Sequence, residues 1–392
     1  MNHKKLQANV SYSLVHASMW GMYAVIIYFA KTFLSGQQLS DAQCSLVLGI
    51  TAAASVFLNI GVSEIIKRTQ KIKLYVATMT LAALILLGLG GMLMENKVLA
   101  LCGICLVLTL LQLAPGMCNS LGMDAIAKGA PATYAVARGI GSVAFATVSL
   151  CAGNLIDDFG TAAVPVVGGA MAGVLILMVL WFHNCAEKGL PETVVETQKI
   201  TEKSKDNFLT KNPMFTLFLL GASLMNISHY YLVVFLSDVT EALNLGPDVV
   251  GTAAAISTYV ELPIMLGFAF LTRKMRCNTL LKISCFMFLA KCLGITFAQG
   301  AMGIYLAHAT QILGYGLYAI ASVTYAGEVM GKKDAVRAQS YLAGTISIGN
   351  VVAMFTGGLM PVETMMWVST ACAGIGALIV LVSAKPGKKV EE

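Results

Sequence analysis

Runs of about 20 apolar residues, separated by short polar stretches, recur along nearly the whole chain. A helix of that length crosses the roughly 30 Å of a bilayer's hydrocarbon, where a span must satisfy its own backbone hydrogen bonds. The pattern predicts spans at 9–33, 43–62, 74–94, 98–121, 134–156 and 161–183, and again at 213–237, 249–271, 279–298, 302–326, 337–357 and 362–384. The expected fold class is therefore all-α integral membrane, with twelve transmembrane helices in two pseudo-symmetric six-helix bundles. The expected divisions are a first bundle at 1–184, a cytoplasmic linker at 185–212, a second bundle at 213–384 and a cytoplasmic tail at 385–392. The linker is rich in Lys, Glu and Thr and lacks a hydrophobic face, which reads as a flexible tether. The first apolar run has no small-residue cleavage site behind it and reads as a first span, not a cleaved signal peptide.

Composition agrees with the pattern: 57% of residues are hydrophobic and 12% charged, with a mean hydropathy of +0.77. Ordinary soluble domains carry about a quarter charged residues, so no sizeable soluble domain is expected. The net charge of +6 matters less than its distribution. Of the 26 Lys and Arg residues, all but Lys31, Lys97 and Lys291 fall in or beside segments on the side of the N-terminus. The opposite loops hold Asp157, Asp158, Asp238, Glu241, Asp248 and Glu363. The positive-inside rule then places both termini in the cytoplasm, and the expected location is the cytoplasmic membrane. The ten cysteines lie mostly inside apolar runs, without zinc-site or disulfide spacing, and read as packing residues.

The halves resemble each other weakly. Leu39-Ser-Asp-Ala-Gln-Cys-Ser-Leu-Val-Leu-Gly49 before the second span is echoed by Leu245-Gly-Pro-Asp-Val-Val-Gly251 before the eighth. Ala135-Val-Ala-Arg138 opens the fifth span as Ala335-Val-Arg337-Ala opens the eleventh. Duplicated halves around a mid-membrane site are a common build for secondary transporters.

Ionisable residues in or next to a span are costly unless paired or facing water, so they are the candidate functional residues. Asp124 and Arg138 stand at the facing ends of two apolar segments, and Gly139, Gly141, Ser142 and Ala144 give the helix after Arg138 a face suited to close packing. An arginine snorkelling to lipid phosphates is the alternative reading. Glu261 and Lys291 lie well inside consecutive spans of the second half and are expected to pair. Polar residues also share helical faces: His16, Trp20 and Tyr23 in the first span, and Gln112 and Asn119 around a kink at Pro115-Gly116 in the fourth. Asn226, His229 and Tyr230 do so in the seventh span, and His308, Gln311 and Tyr315 in the tenth. Core packing is the competing explanation for the aromatic members. No metal-ligand cluster, phosphate loop with its lysine, or nucleophile with a base is legible, so neither enzyme chemistry nor a cofactor is expected.

Several of these residues fall in motifs. Asp124-Ala-Ile-Ala followed by Tyr134-Ala-Val-Ala-Arg138-Gly-Ile-Gly141-Ser142, Glu261-Leu-Pro263-Ile-Met, and Gly314-Tyr-Gly-Leu-Tyr318 resemble the major facilitator superfamily. The resemblance is strongest to its lactose-permease-like group of oligosaccharide, nucleoside and phenylpropionate proton symporters. It implies a substrate-binding arginine at Arg138, a helix-8 glutamate at Glu261, and Lys291 where the group has a helix-9 arginine. The chain departs from the group at Phe145 (a sugar-stacking Trp), Ser120 (a Glu), Gln311 (a His) and Gly314 (a carboxylate). The loop signature between the second and third spans is degraded in Ser63-Glu-Ile-Ile-Lys67-Arg68-Thr-Gln-Lys71. The expectation is a secondary transporter of a small polar organic solute. Arg138, Asp124, Asn119, Phe145, His229, Gln311 and Trp20 would bind the solute, and Glu261 and Lys291 would couple protons. An exporter of amphipathic compounds, a uniporter and a non-transporting receptor stay open. The expected partners are the solute, protons and the lipid bilayer, with no nucleic acid and a monomeric state.

Overall fold

The structure is a computed structural model that describes residues 3–69, 73–187 and 208–386, without side chains at 3–4, 63–69, 187, 269, 331–333 and 335–336. Most of the expected linker, the tail from residue 387 and the Ser63–Lys71 signature's side chains lie outside the described residues. Contacts divide the chain into two units, Met1–Glu202 and Lys203–Glu392.

The first unit is built from α1 (His3–Gly36), α2 (Asp41–Thr69), α3 (Leu74–Met92), α4 (Lys97–Leu111), α5 (Ala114–Ala127), α6 (Tyr134–Phe159) and α7 (Ala163–Phe182). Within its apolar window α1 is 78% buried, against 33% for α2 and α3, so α1 is the inner helix of this unit. It packs along α6 and α7. Helix ends follow local chemistry. The Asn96 side chain caps α4 by accepting from the Val98 and Leu99 amides at 2.9 and 3.3 Å. Gly160, at φ +73°, ends α6 in the left-handed region that favours glycine. The expected kink in the fourth span is a break between α4 and α5. Proline lacks the N–H that would bond four residues back, and four residues before Pro115 is Leu111, where α4 stops.

The second unit contains α8 (Phe208–Lys211), α9 (Pro213–Val234), α10 (Leu236–Ala242), α11 (Pro247–Lys274), α12 (Cys277–Thr296), α13 (Ala301–Ala309), α14 (Tyr315–Thr356) and α15 (Val362–Ser383). Its inner helix is α9, which packs against α14 and α15. Two glycine contacts permit this. A Cβ on Gly221 would stand 3.0 Å from the Gly376 carbonyl of α15, and one on Gly349 of α14 would stand 2.5 Å from the Asn226 Cβ.

Eleven helical stretches among the described residues are long and apolar enough to cross a membrane, with α4 and α5 forming one of them. The remaining expected span, 302–326, is broken. It runs through α13, a 3-10 turn at Thr310–Ile312 and the start of α14. Gly314, at ψ −119°, leaves the helical region, and its amide bonds back to Thr310 and Gln311. The helical run of α14 continues through 327–336, yet Tyr315 and Thr345 both hydrogen-bond Asn226 of α9, so α14 folds back on itself between them and its two arms carry the end of the tenth span and nearly all of the eleventh.

Candidate functional site

In the first unit the polar residues gather where α1 meets α5 and α6. The Arg138 guanidinium carbon lies 4.3 Å over the Trp20 ring, and its Nη1 donates to Ser142 Oγ, one turn along α6, at 2.6 Å. This cation–π contact turns Arg138 towards α1. Gly141 makes it possible, since a Cβ there would stand 2.6 Å from Trp20 Cδ1 and 3.2 Å from His16 Cβ. Phe145 continues the aromatic wall, with ring centroids 6.3 Å from Trp20 and 5.9 Å from Tyr28.

Two hydrogen bonds fix the level of α1 against the broken fourth span. Tyr12 donates to the Cys118 carbonyl at 3.5 Å, and Tyr23 donates to Gln112 Oε1 at 3.0 Å. Between these levels lie His16 and Trp20, and Asn119 follows Cys118 just beyond the Tyr12 level. Both His16 ring nitrogens, Trp20 Nε1 and Asn119 Oδ1 are buried without a hydrogen-bond partner among the described residues. Asp124 is engaged differently: its Oδ2 accepts from Lys128 Nζ, one turn on along the chain, at 2.6 Å in a partly buried ion pair.

The second unit holds the other candidates around the break in the tenth span. Glu261 and Lys291 are not joined as the expected direct pair; Gln311 stands between them. Lys291 Nζ donates to Gln311 Oε1 at 2.8 Å, and Gln311 Nε2 donates to Glu261 Oε1 at 2.7 Å. The amide orientation is fixed by its neighbours, because an ammonium only donates and a carboxylate only accepts. Lys291 and Gln311 are 2% and 3% exposed, so this chain is sealed except at the half-buried Glu261. The break in the helix explains the difference from the expected pair. The 3-10 turn sets Gln311 between α11 and α12, and Gly316 leaves room for the carboxylate, since a Cβ there would stand 2.6 Å from Glu261 Cγ.

His229 lies beside this chain, its ring stacked on Tyr315 at 3.5 Å and 1°. Tyr315 donates to Asn226 Oδ1 at 2.8 Å, and Asn226 donates to Thr345 Oγ1 at 3.1 Å and to the Ala222 carbonyl at 2.9 Å. His308 Nδ1 is 2.6 Å from Ser257 Oγ. The structure thus brings together Arg138, Trp20 and Phe145 in one unit, and Glu261, Gln311 and Lys291 in the other. Asn119, next to Cys118, lies near the level of Tyr12, and Asp124 forms its own pair with Lys128.

Sequence reasoning gave no role to Lys31, 3% exposed and paired with Asp41 Oδ1 at 2.6 Å. Its place on the acidic side of the membrane was the available signal. Ser257 and Thr345 carried none, because a lone hydroxyl in a span is ordinary.

Long apolar helices in two units, with charged and polar side chains buried inside them, define a polytopic membrane protein. The chain matches the model of the MFS_1 like family over residues 9–370 and belongs to that family, a family of major facilitator transporters. No curated protein matches it. Among solved structures it is similar to the nucleoside transporter NupG, with 14% identity, 98% of each chain covered and a TM-score of 0.73. It is also similar to a bacterial homologue of the iron transporter ferroportin in an inward-facing state. There the identity is 12%, the coverage 98% of this chain and 99% of that one, and the TM-score 0.75. The peptide-transporter-family protein PepTSo gives 12%, 98%, 97% and 0.67 respectively. At these identities the likeness establishes the fold. The protein is a membrane-spanning transporter of the major facilitator type.

Proposed function

We propose that this transporter moves a small polar organic solute across the cytoplasmic membrane, with both termini cytoplasmic and with protons as the coupling ion. The observation that carries the reading is the sealed chain Lys291–Gln311–Glu261 across three spans. A buried ammonium and carboxylate joined through an amide are stable while both are charged, because each hydrogen bond is then charge-assisted. Protonation of Glu261 leaves a neutral acceptor and weakens the second bond, so the charge state of one span is felt at the next. Gln311 has both ends of its amide committed, and its role shifts from solute contact to bridge.

On the solute side, Arg138 and Trp20 supply a cation and an aromatic face, and Asn119 Oδ1 and Trp20 Nε1 supply an acceptor and a donor. That set suits an oxygen-rich or heterocyclic solute, and the fold shared with a nucleoside transporter makes nucleosides the first compounds to try. The test is uptake of labelled nucleosides, sugars and aromatic acids into liposomes containing the purified protein, under an imposed inward proton gradient. Uptake above the protein-free control is expected for one class, and uptake of none would overturn the reading.

A further inference from the structure

The break in the tenth span is gripped from two sides. On one side Gln311 joins Lys291 to Glu261, and Glu261 also packs on Gly316 at the far end of the break. On the other side Tyr315 lies flat on the His229 ring at 3.5 Å and donates to Asn226 Oδ1 at 2.8 Å, so one side chain holds two residues of α9. We propose that Tyr315 is the positioning residue that carries the charge state of Glu261 to α9 and to both arms of α14. Its part in transport rests on the proton-coupled reading above; the mechanical link does not.

The segment between the two grips has little freedom of its own. The Leu313 amide bonds to the Thr310 carbonyl at 3.2 Å, the Gly314 amide to the Thr310 and Gln311 carbonyls at 3.0 and 3.1 Å, and the Tyr318 amide to the Gly314 carbonyl at 3.0 Å. A turn closed in this way moves as a piece, so a shift of Gln311 is a shift of Tyr315.

Asn226 passes the shift on. It is 1% exposed, and its N–H groups donate to Thr345 Oγ1 in the second arm of α14 at 3.1 Å and to the Ala222 carbonyl at 2.9 Å. Gly349 of the same arm packs so closely that a Cβ there would stand 2.5 Å from the Asn226 Cβ. With its oxygen and both N–H groups engaged, the amide has no spare donor with which to adapt. When Tyr315 moves, either α9 and the second arm follow or a buried hydrogen bond breaks. The trigger is Glu261, and the ionisable groups around the chain are Lys291 of α12, His229 of α9, His308 of α13 and Tyr315 itself. Protonation weakens the acceptor that Gln311 uses, while burial holds Lys291 in place, so the change falls on the turn.

The test is hydrogen–deuterium exchange of the full-length, detergent-solubilised protein, which needs no solute. Glu261→Gln keeps the side chain's shape and removes its charge, as protonation does. It is expected to change amide exchange by about threefold or more in peptides over 310–316, and also over 222–230 of α9 and 342–349 of α14, because exchange reports local opening. Tyr315→Phe keeps the ring on His229 and removes the hydroxyl. In that background Glu261→Gln should still change 310–316 and leave 222–230 and 342–349 unaltered. Thr345→Val, which cuts only the last bond, should keep the response over 222–230 and lose it over 342–349. A merely structural Tyr315 would alter α9 in both members of the Tyr315→Phe pair and preserve the difference between them. A Glu261→Gln effect confined to 310–316, or one that reaches α9 in the Tyr315→Phe background, would overturn the proposal. A spreading effect without proton-driven uptake would leave the link and remove the coupling reading; uptake without a spreading effect would do the reverse.

Discussion

Replacing Gln311 by Leu removes both hydrogen bonds of the bridge while keeping a side chain of similar size. Lys291, 2% exposed, loses the acceptor at 2.8 Å and has little water to turn to; Glu261, half-buried, can recruit water in place of the donor at 2.7 Å. Hydrogen bonds to charged groups contribute about 1.5–3 kcal/mol each, and the sealed end sits near the top of that range. Allowing roughly 1 kcal/mol back for the buried leucine, the net cost is about 2–3 kcal/mol. For a unit of this size 1 kcal/mol shifts the melting temperature by about 2–4 °C, so a fall of about 5–10 °C is expected. The assay is thermal unfolding of purified protein in one detergent at one scan rate, because unfolding of such proteins is generally irreversible. The double variant Gln311→Leu/Lys291→Met should recover several degrees, since replacing both partners by apolar groups removes the stranded charge. A Gln311→Leu protein melting within about a degree of wild type, or a double variant less stable than the single, would refute the bridge.

Three further outcomes follow from the packing and the charges. Gly349→Ala should cost about 2 kcal/mol or more, because its Cβ would meet the Asn226 Cβ at 2.5 Å and the Ile227 nitrogen at 2.8 Å, whereas Gly139→Ala, with nothing within 4 Å, should be neutral or slightly stabilising; equal melting temperatures would contradict this. Arg138→Lys should weaken solute binding about tenfold although it keeps the charge, because an ammonium cannot lie flat on Trp20 while bonding Ser142; an unchanged affinity would favour the snorkelling reading. Burial raises the Glu328 carboxyl above its usual range, so the folded state binds that proton more tightly and its contribution to stability is lost as pH rises through the raised value. Glu328→Gln should therefore melt slightly above wild type at neutral pH and together with it at about pH 4; the opposite order would refute the assignment.

The spans and the two-part organisation were legible because hydrocarbon imposes one length and one periodicity on every span. The break in the fourth span was legible for the same kind of reason: Pro115 lacks an N–H, and the helix stops four residues earlier. The break in the tenth was hidden, since nothing local in the sequence marks it, and only Glu261, whose Cγ a Cβ on Gly316 would meet at 2.6 Å, shows why a side chain does not fit at Gly316. That break puts Gln311 between Glu261 and Lys291, which a regular helix drawn from the sequence does not do. The repeat of Arg138 and Arg337 was visible as a motif, but its shared physics was not. Arg138 stacks on Trp20 and Arg337 on Phe208 at 4.8 Å, each using an aromatic ring far away in sequence.

The central claim is that protonation of Glu261, relayed through Gln311, drives the solute. It is tested most directly in liposomes with an imposed inward proton gradient, following both the labelled solute and an internal pH dye. Wild type should accumulate solute above its external concentration while the interior acidifies, and Glu261→Gln should exchange solute at equal concentrations without accumulating it or moving protons. Equal gradient-driven accumulation by the two proteins would contradict the role of Glu261, and wild-type uptake that stops at equal concentrations would contradict proton coupling itself.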